Sequence, residues 1–180
     1  MSGLFLIRHA EPAVAGVILG AADVPLSVRG HWQARAMAAG FEGLSGVQAV
    51  YASPLRRSLQ TAAYLLEPWH PLAVLDDLRE ISYGPWDGLT WEEIAARDPD
   101  LAQRKVEDWL GVDVPGGERW SEFQARVAAA LARILAGPLP AAVVSHQGVN
   151  AHLAHLLGGE VETGFLQDYC EILSYASLSD

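Results

Sequence analysis

Two arginines and two histidines carry the chemistry this sequence offers. Arg8 and His9 directly follow the apolar run Leu4-Phe5-Leu6-Ile7. Arg57 comes shortly after Ser53-Pro54, and His146 follows the run Ala141-Ala142-Val143-Val144-Ser145. A guanidinium is a permanent cation whose planar fork suits phosphate. An imidazole is partly unprotonated near neutral pH and can therefore attack an electrophile. Together these groups suit chemistry on a phosphate.

The elements that must position them can be read from pattern. A short apolar run reads as a buried strand, and such runs stand at 4–7, 47–52, 72–75 and 141–145, with one or two further short strands within 165–176. Between them lie helical stretches. One covers 28–41, capped by Ser27, with Val28, Trp32, Ala36 and Ala39 on one apolar face. Ser53 as N-cap and Pro54 at the first position open another, which carries Arg56 and Arg57 in its first turn. Cations there oppose the helix dipole, so the placement makes sense beside a bound anion. Thr90 and Glu93 form a capping box for a helix at 91–97, and others are expected at 99–109, 119–136 and 149–157. Residues 11–26 and 78–90 read as long loops.

Strands alternating with helices predict an α/β fold, a mostly parallel sheet covered by helices on both faces. The expectation is one domain over 1–180 with a small helical elaboration near 85–118. In such a sheet, ligands bind outside the carboxyl ends of the strands. Arg8, His9, Arg57 and His146 all follow strand ends, so they would share one cationic pocket.

The chain as a whole is acidic, with a formal charge of -10. That opposes nucleic acid and anionic membranes as partners and makes a local cluster of cations more telling. Hydrophobic residues make up 51% and charged residues 19%, enough for a sizeable core. The single Cys170 excludes an internal disulfide and fits a reducing, cytoplasmic setting. The opening apolar run is too short for a signal peptide, and no stretch approaches the ~20 apolar residues of a membrane span.

Four segments resemble the histidine phosphatase superfamily, with its phosphoglycerate-mutase-like fold. Leu6-Ile-Arg-His-Ala-Glu11 is similar to the family's Arg-His-Gly signature. Ser53-Pro-Leu-Arg-Arg-Ser-Leu-Gln-Thr-Ala62 resembles its second motif, Leu78-Arg-Glu-Ile-Ser-Tyr-Gly-Pro-Trp-Asp-Gly88 its acid-bearing segment, and Val143-Val-Ser-His-Gln-Gly148 its second-histidine motif. Pro115-Gly-Gly-Glu118 also recurs in the family. The resemblance implies a phosphomonoesterase of histidine acid phosphatase type. His9 would be the nucleophile and pass through phosphohistidine. Arg8, Arg57 and His146 would hold the phosphoryl oxygens, Glu80 would donate the proton, and no metal or cofactor would be required. Ala10 and Gln147 depart from the family pattern, where glycine is usual. The Ala10 methyl could crowd the backbone near the phosphate, and Gln147 could donate to the substrate.

Residues 20–27 look most like alpha-ribazole phosphatase and its relatives, so the expected partner is a small-molecule phosphomonoester. A phosphoglycerate mutase, a protein phosphatase and a non-catalytic phospholigand-binding protein stay open, as does a homodimer. Trp86, Trp91, Trp109 and Trp120 either fill a core or wall the pocket. Asp23 and Glu118 either touch substrate or serve turns and caps. His152 and His155 share a helix face, read as solvated rather than metal-binding. His31 and His70 read as loop or surface residues.

Overall fold

Five short strands make one sheet in the computed structural model, which describes residues 3–158 and 165–176. They are β1 (Gly3–Arg8), β2 (Ala49–Ala52), β3 (Leu72–Val74), β4 (Ala141–Ser145) and β5 (Ile172–Ala176), in the order β3-β2-β4-β1-β5. The first four run parallel, and β5 closes the edge antiparallel to β1. Side chains alternate between faces along a strand. Leu4, Leu6, Ala49, Tyr51, Ala141 and Val143 therefore enter one core, and Ile7, Val50, Ala52, Ala142 and Val144 the other.

Helices α5 (Trp120–Leu135) and α6 (Gln147–Leu156) cover the first face. Phe123, Val127 and Ile134 of α5 are fully buried there, each worth about 1.5–3 kcal/mol of apolar burial. Helices α1 (Val28–Gly40) and α2 (Arg56–Ala62) cover the second face. The fold is thus the expected α/β sheet layered on both sides. Helices α3 (Trp91–Arg97) and α4 (Pro99–Glu107) form the elaboration, around a small core of Trp86, Ile94, Leu101, Ala102 and Val114. The Thr90–Glu93 capping box opens α3 as the sequence predicts.

Four local expectations need correction. Helix α1 leaves Val28 and Trp32 exposed, at 79% and 65%, and buries Gly30 and Ala34 instead. The reason is close approach: a Cβ on Gly30 would lie 2.1 Å from the Glu11 carbonyl oxygen, so the small-residue face is the one that fits. Helix α2 begins at Arg56 with Leu55 as its N-cap and no capping side chain, so Ser53 and Pro54 lie outside it. His70 lies in a loop but not at the surface: it is buried, held between the backbone N–H of Glu67 and the carbonyl of Val47. His152 is also buried, packed near Trp120 and Phe123 rather than solvated.

The long loop after β1 is tied down along its length. Ile18 and Leu89 exchange backbone contacts through Ile18 N to Leu89 O at 2.8 Å, and Gly88 N returns to Ile18 O at 2.7 Å. Ala21 N donates to Asp87, Leu26 N to Gln60, and Arg56 N to Asp23. Asp23 therefore ties the loop to the start of α2.

Candidate active site

Parallel pairing brings three strand ends side by side. Arg8 lies opposite Ser145 in the register of β1 and β4. His9 N donates to Ser145 O at 2.9 Å, and Ser53 N to Val144 O at 3.1 Å. The sheet's hydrogen bonding thus runs one residue past the strands and fixes His9, His146 and Ser53 as neighbours. The His9 and His146 rings stand edge to face, with centroids 5.1 Å apart.

His9 has one tautomer consistent with its contacts. Nδ1 lies 2.7 Å from the Ala10 carbonyl, which can only accept, so Nδ1 carries the proton. Nε2 then presents a lone pair, and Arg57 Nε donates to it at 3.2 Å. Burial, followed by the Arg57 charge, lowers the His9 pKa to about 3. The ring is therefore neutral and nucleophilic at neutral pH.

Arg57 is almost wholly buried. Its Nη1 donates to Ala22 O at 2.6 Å and its Nη2 to Gly20 O at 2.8 Å. With Nε on His9, three of its five N–H groups are committed, which leaves one on each Nη for a ligand. Arg8 donates Nη1 to Gln167 O at 2.5 Å and stacks on Tyr169, 4.2 Å from the ring centroid. Arg8 Nε is buried without a partner.

His146 Nε2 lies 2.8 Å from Ser53 Oγ, while its buried Nδ1 has no partner. Burial holds its pKa well below the ordinary value, helped by His9 and Arg57. When Nε2 accepts from the serine hydroxyl, Nδ1–H is a free donor. A buried donor without a partner is costly, so it is suited to an incoming acceptor.

Glu80 sits in the loop after β3, with its carboxyl end enclosed. Oε2 accepts from Gly148 N and Oε1 from Ile81 N, each at 3.1 Å. A Cβ on Gly148 would lie 2.6 Å from Oε1, so a side chain there would push the carboxylate from its present place at the start of α6. Burial raises the Glu80 pKa, against those two N–H groups and the charges of Arg57 and Arg126. Ser145 Oγ donates to Leu78 O at 2.8 Å, tying this acid loop to β4.

Other candidates fall outside the cluster. The Gln147 amide donates to Phe165 O at 3.2 Å, and the Glu118 carboxylate pairs with Arg126. Trp86 fills the small helical core. Trp109 and Trp120 line a shallow cleft with Ile81, Tyr83 and Lys105, and Trp91 packs beside Trp109. No group of three His, Cys, Asp or Glu that could hold a metal occurs among the described residues. Ala10 is buried in a small cluster with Leu26 and Ala34, packed against Cys170.

Sequence reasoning missed Ser53 as the partner of His146, because Ser-Pro before a helix reads as a cap. It also missed Tyr169, whose ring centroid is 5.7 Å from that of His9, and Gln167. Gln167 is buried, donates to Leu6 O and accepts from Asn150, so it fastens the 167–171 turn over the site. No periodicity marks either residue.

The sequence matches the description "Histidine phosphatase superfamily (branch 1)" over residues 4–178. The chain belongs to the histidine phosphatase superfamily. It is 34% identical over 148 residues to a bifunctional protein of Mycobacterium tuberculosis, covering 79% of this chain and 40% of the relative. It is 34% identical over 132 residues to phosphoserine phosphatase 1 of Hydrogenobacter thermophilus, covering 71% and 61%. Among solved structures, the alpha-ribazole phosphatase of Shigella flexneri superposes with a TM-score of 0.80 at 29% identity, covering 89% of this chain and 82% of that one. The chain spans 40% to 61% of the length of those two curated relatives. Within this superfamily chain, the histidine of the Arg-His signature touches the second-motif arginine and stands against the second histidine.

The lowered His9 pKa has a consequence for stability. The unfolded histidine takes up a proton below its ordinary 6.5, while the folded one resists until about 3. Across that window the unfolded state binds more protons, so falling pH destabilises the fold. His9 alone contributes a slope of about 1.4 kcal/mol per pH unit. His146 acts in the same direction, and the raised Glu80 in the opposite one. Comparison with His9→Asn isolates the first contribution. Urea unfolding at several pH values between 7 and 4 should give the variant the flatter profile, and equal slopes would show that His9 is not held neutral.

Proposed function

We propose that this chain is a phosphomonoester hydrolase working through phosphohistidine at His9. The neutral His9 ring, with its Nε2 lone pair beside the Arg57 guanidinium and a second imidazole, carries this reading. Arg57 Nε–H releases Nε2, which attacks phosphorus; the N–P bond forms and the bond to the leaving oxygen breaks. Glu80, its pKa raised, gives that oxygen a proton. The Glu80 carboxylate then takes a proton from water, whose oxygen attacks phosphorus. The N–P bond breaks, inorganic phosphate leaves and His9 returns neutral. Arg8, Arg57 and His146 Nδ1 stabilise the charge on the phosphoryl oxygens in both steps. Gln147 would join them only by leaving Phe165. The depressed His9 pKa supports an acid-phosphatase-type range of action.

The substrate is a small-molecule phosphomonoester. Likeness to the Shigella flexneri alpha-ribazole phosphatase favours alpha-ribazole 5'-phosphate. The Hydrogenobacter thermophilus relative favours phosphoserine as second candidate. The test is phosphate release from a panel containing both, with 3-phosphoglycerate and a phosphoprotein, run with chelator. One ester should be strongly preferred, and the protein should carry acid-labile, alkali-stable phosphate during turnover. Hydrolysis of none would overturn the reading in favour of a phospholigand-binding protein, and transfer between hydroxyls without phosphate release would favour a mutase.

A further inference from the structure

The acid loop is held from behind by an ion pair that touches neither His9 nor the Glu80 carboxyl. Arg126, on α5, donates Nη1 to the carbonyls of Asp77 and Arg79, at 2.8 and 2.6 Å. Its Nε and Nη2 donate to Glu118 Oε1 and Oε2, at 2.5 and 2.8 Å. Glu118 in turn donates its backbone N–H to Ser82 O at 2.8 Å, and its Oε2 accepts from Ser82 N at 3.4 Å. These contacts bracket Glu80 in the chain: Arg79 immediately precedes it and Ser82 follows by two residues.

The pair is rooted in the core. Both side chains are under one fifth exposed, at 19% and 18%. The guanidinium lies over Phe123, 4.8 Å from its centroid, and Phe123 is fully buried. An exposed ion pair would add little. Here one guanidinium joins α5 to the residues before Glu80 and to Glu118, whose own contacts with Ser82 hold the other flank.

We infer that Arg126 and Glu118 are positioning residues that set the aim of the Glu80 proton at the leaving oxygen. The inference rests on the phosphatase reading, because it assigns Glu80 a leaving group to protonate. A general acid must lie within hydrogen-bond reach of its target, roughly 2.6–3.2 Å, so a small shift of this loop disables it. Phosphate binding by Arg8, Arg57 and His146 does not pass through this loop. Loss of the clamp therefore affects proton delivery and leaves substrate affinity in place.

The readout is dependence on the leaving group. Phenyl phosphate needs a proton on its departing oxygen, and p-nitrophenyl phosphate needs far less help. The first turnover should be measured for both esters with Arg126→Gln and Arg126→Lys. The expected loss is about 30-fold for phenyl phosphate, less than the roughly 10^2–10^4-fold a general acid supplies because the acid is misaimed rather than removed, and about threefold or less for the nitrophenyl ester, with KM changed less than about twofold. Lysine should not rescue, since a single ammonium cannot span two carbonyls and a carboxylate. Glu118→Gln keeps the carbonyl contacts and serves if the arginine variants fail to fold; it should show a smaller loss with the same selectivity. Equal losses for the two esters, or none, overturn the inference. A wild-type protein inert towards both overturns the phosphatase reading and this inference with it.

Discussion

His9→Ala is expected to abolish turnover, lowering kcat by about 10^4-fold or more, as removal of a covalent nucleophile does. The variant should still bind phosphate, because Arg8, Arg57 and His146 stay in place. It should also fold. The imidazole makes one backbone hydrogen bond, to Ala10 O, and its loss costs about 1–3 kcal/mol. Circular dichroism melts and phosphate binding by calorimetry check both points alongside the rate. A folded variant that keeps its rate would place the nucleophile elsewhere.

Arg57→Ala should damage activity and stability together. The guanidinium contacts the nucleophile and offers two remaining N–H groups, so its removal should cost about 10^3-fold in kcat/KM, comparable to a missing phosphoryl-stabilising arginine. It also props the loop through Gly20 O and Ala22 O. The buried Gly20 carbonyl left without a donor costs about 1–3 kcal/mol, and the half-buried Ala22 carbonyl adds less. The variant should therefore melt well below His9→Ala. Arg57→Lys should recover part of the stability and little of the rate, because an ammonium cannot donate to His9 and both carbonyls in one plane. An Arg57→Ala melt equal to wild type would show that the loop does not depend on it.

Much of this was legible because charge follows apolar runs at strand ends. Leu4–Ile7 before Arg8-His9, and Ala141–Ser145 before His146, mark β1 and β4 by local pattern alone, and parallel pairing then forces their ends together. Glu80 was reached through resemblance, since a carboxylate in a loop has no period. Helix α1 misled because hydrophobic size pointed to Val28 and Trp32, while packing was decided by how close Gly30 could come to Glu11. Ser53 misled because a serine before proline has a local use that hides a contact to a histidine 93 residues away. Tyr169 and Gln167 meet Arg8 only across about 160 positions of sequence, a distance at which residue spacing carries no signal.

The residue after the nucleophilic histidine bears on how such chains are recognised. Ala10 is fully buried, its backbone N–H donates to Thr61 Oγ1 at 3.0 Å, and it packs with Leu26 and Ala34. A search pattern demanding glycine at that position would pass over this chain. What that position needs is a side chain small enough for the gap between the loop and the first helix.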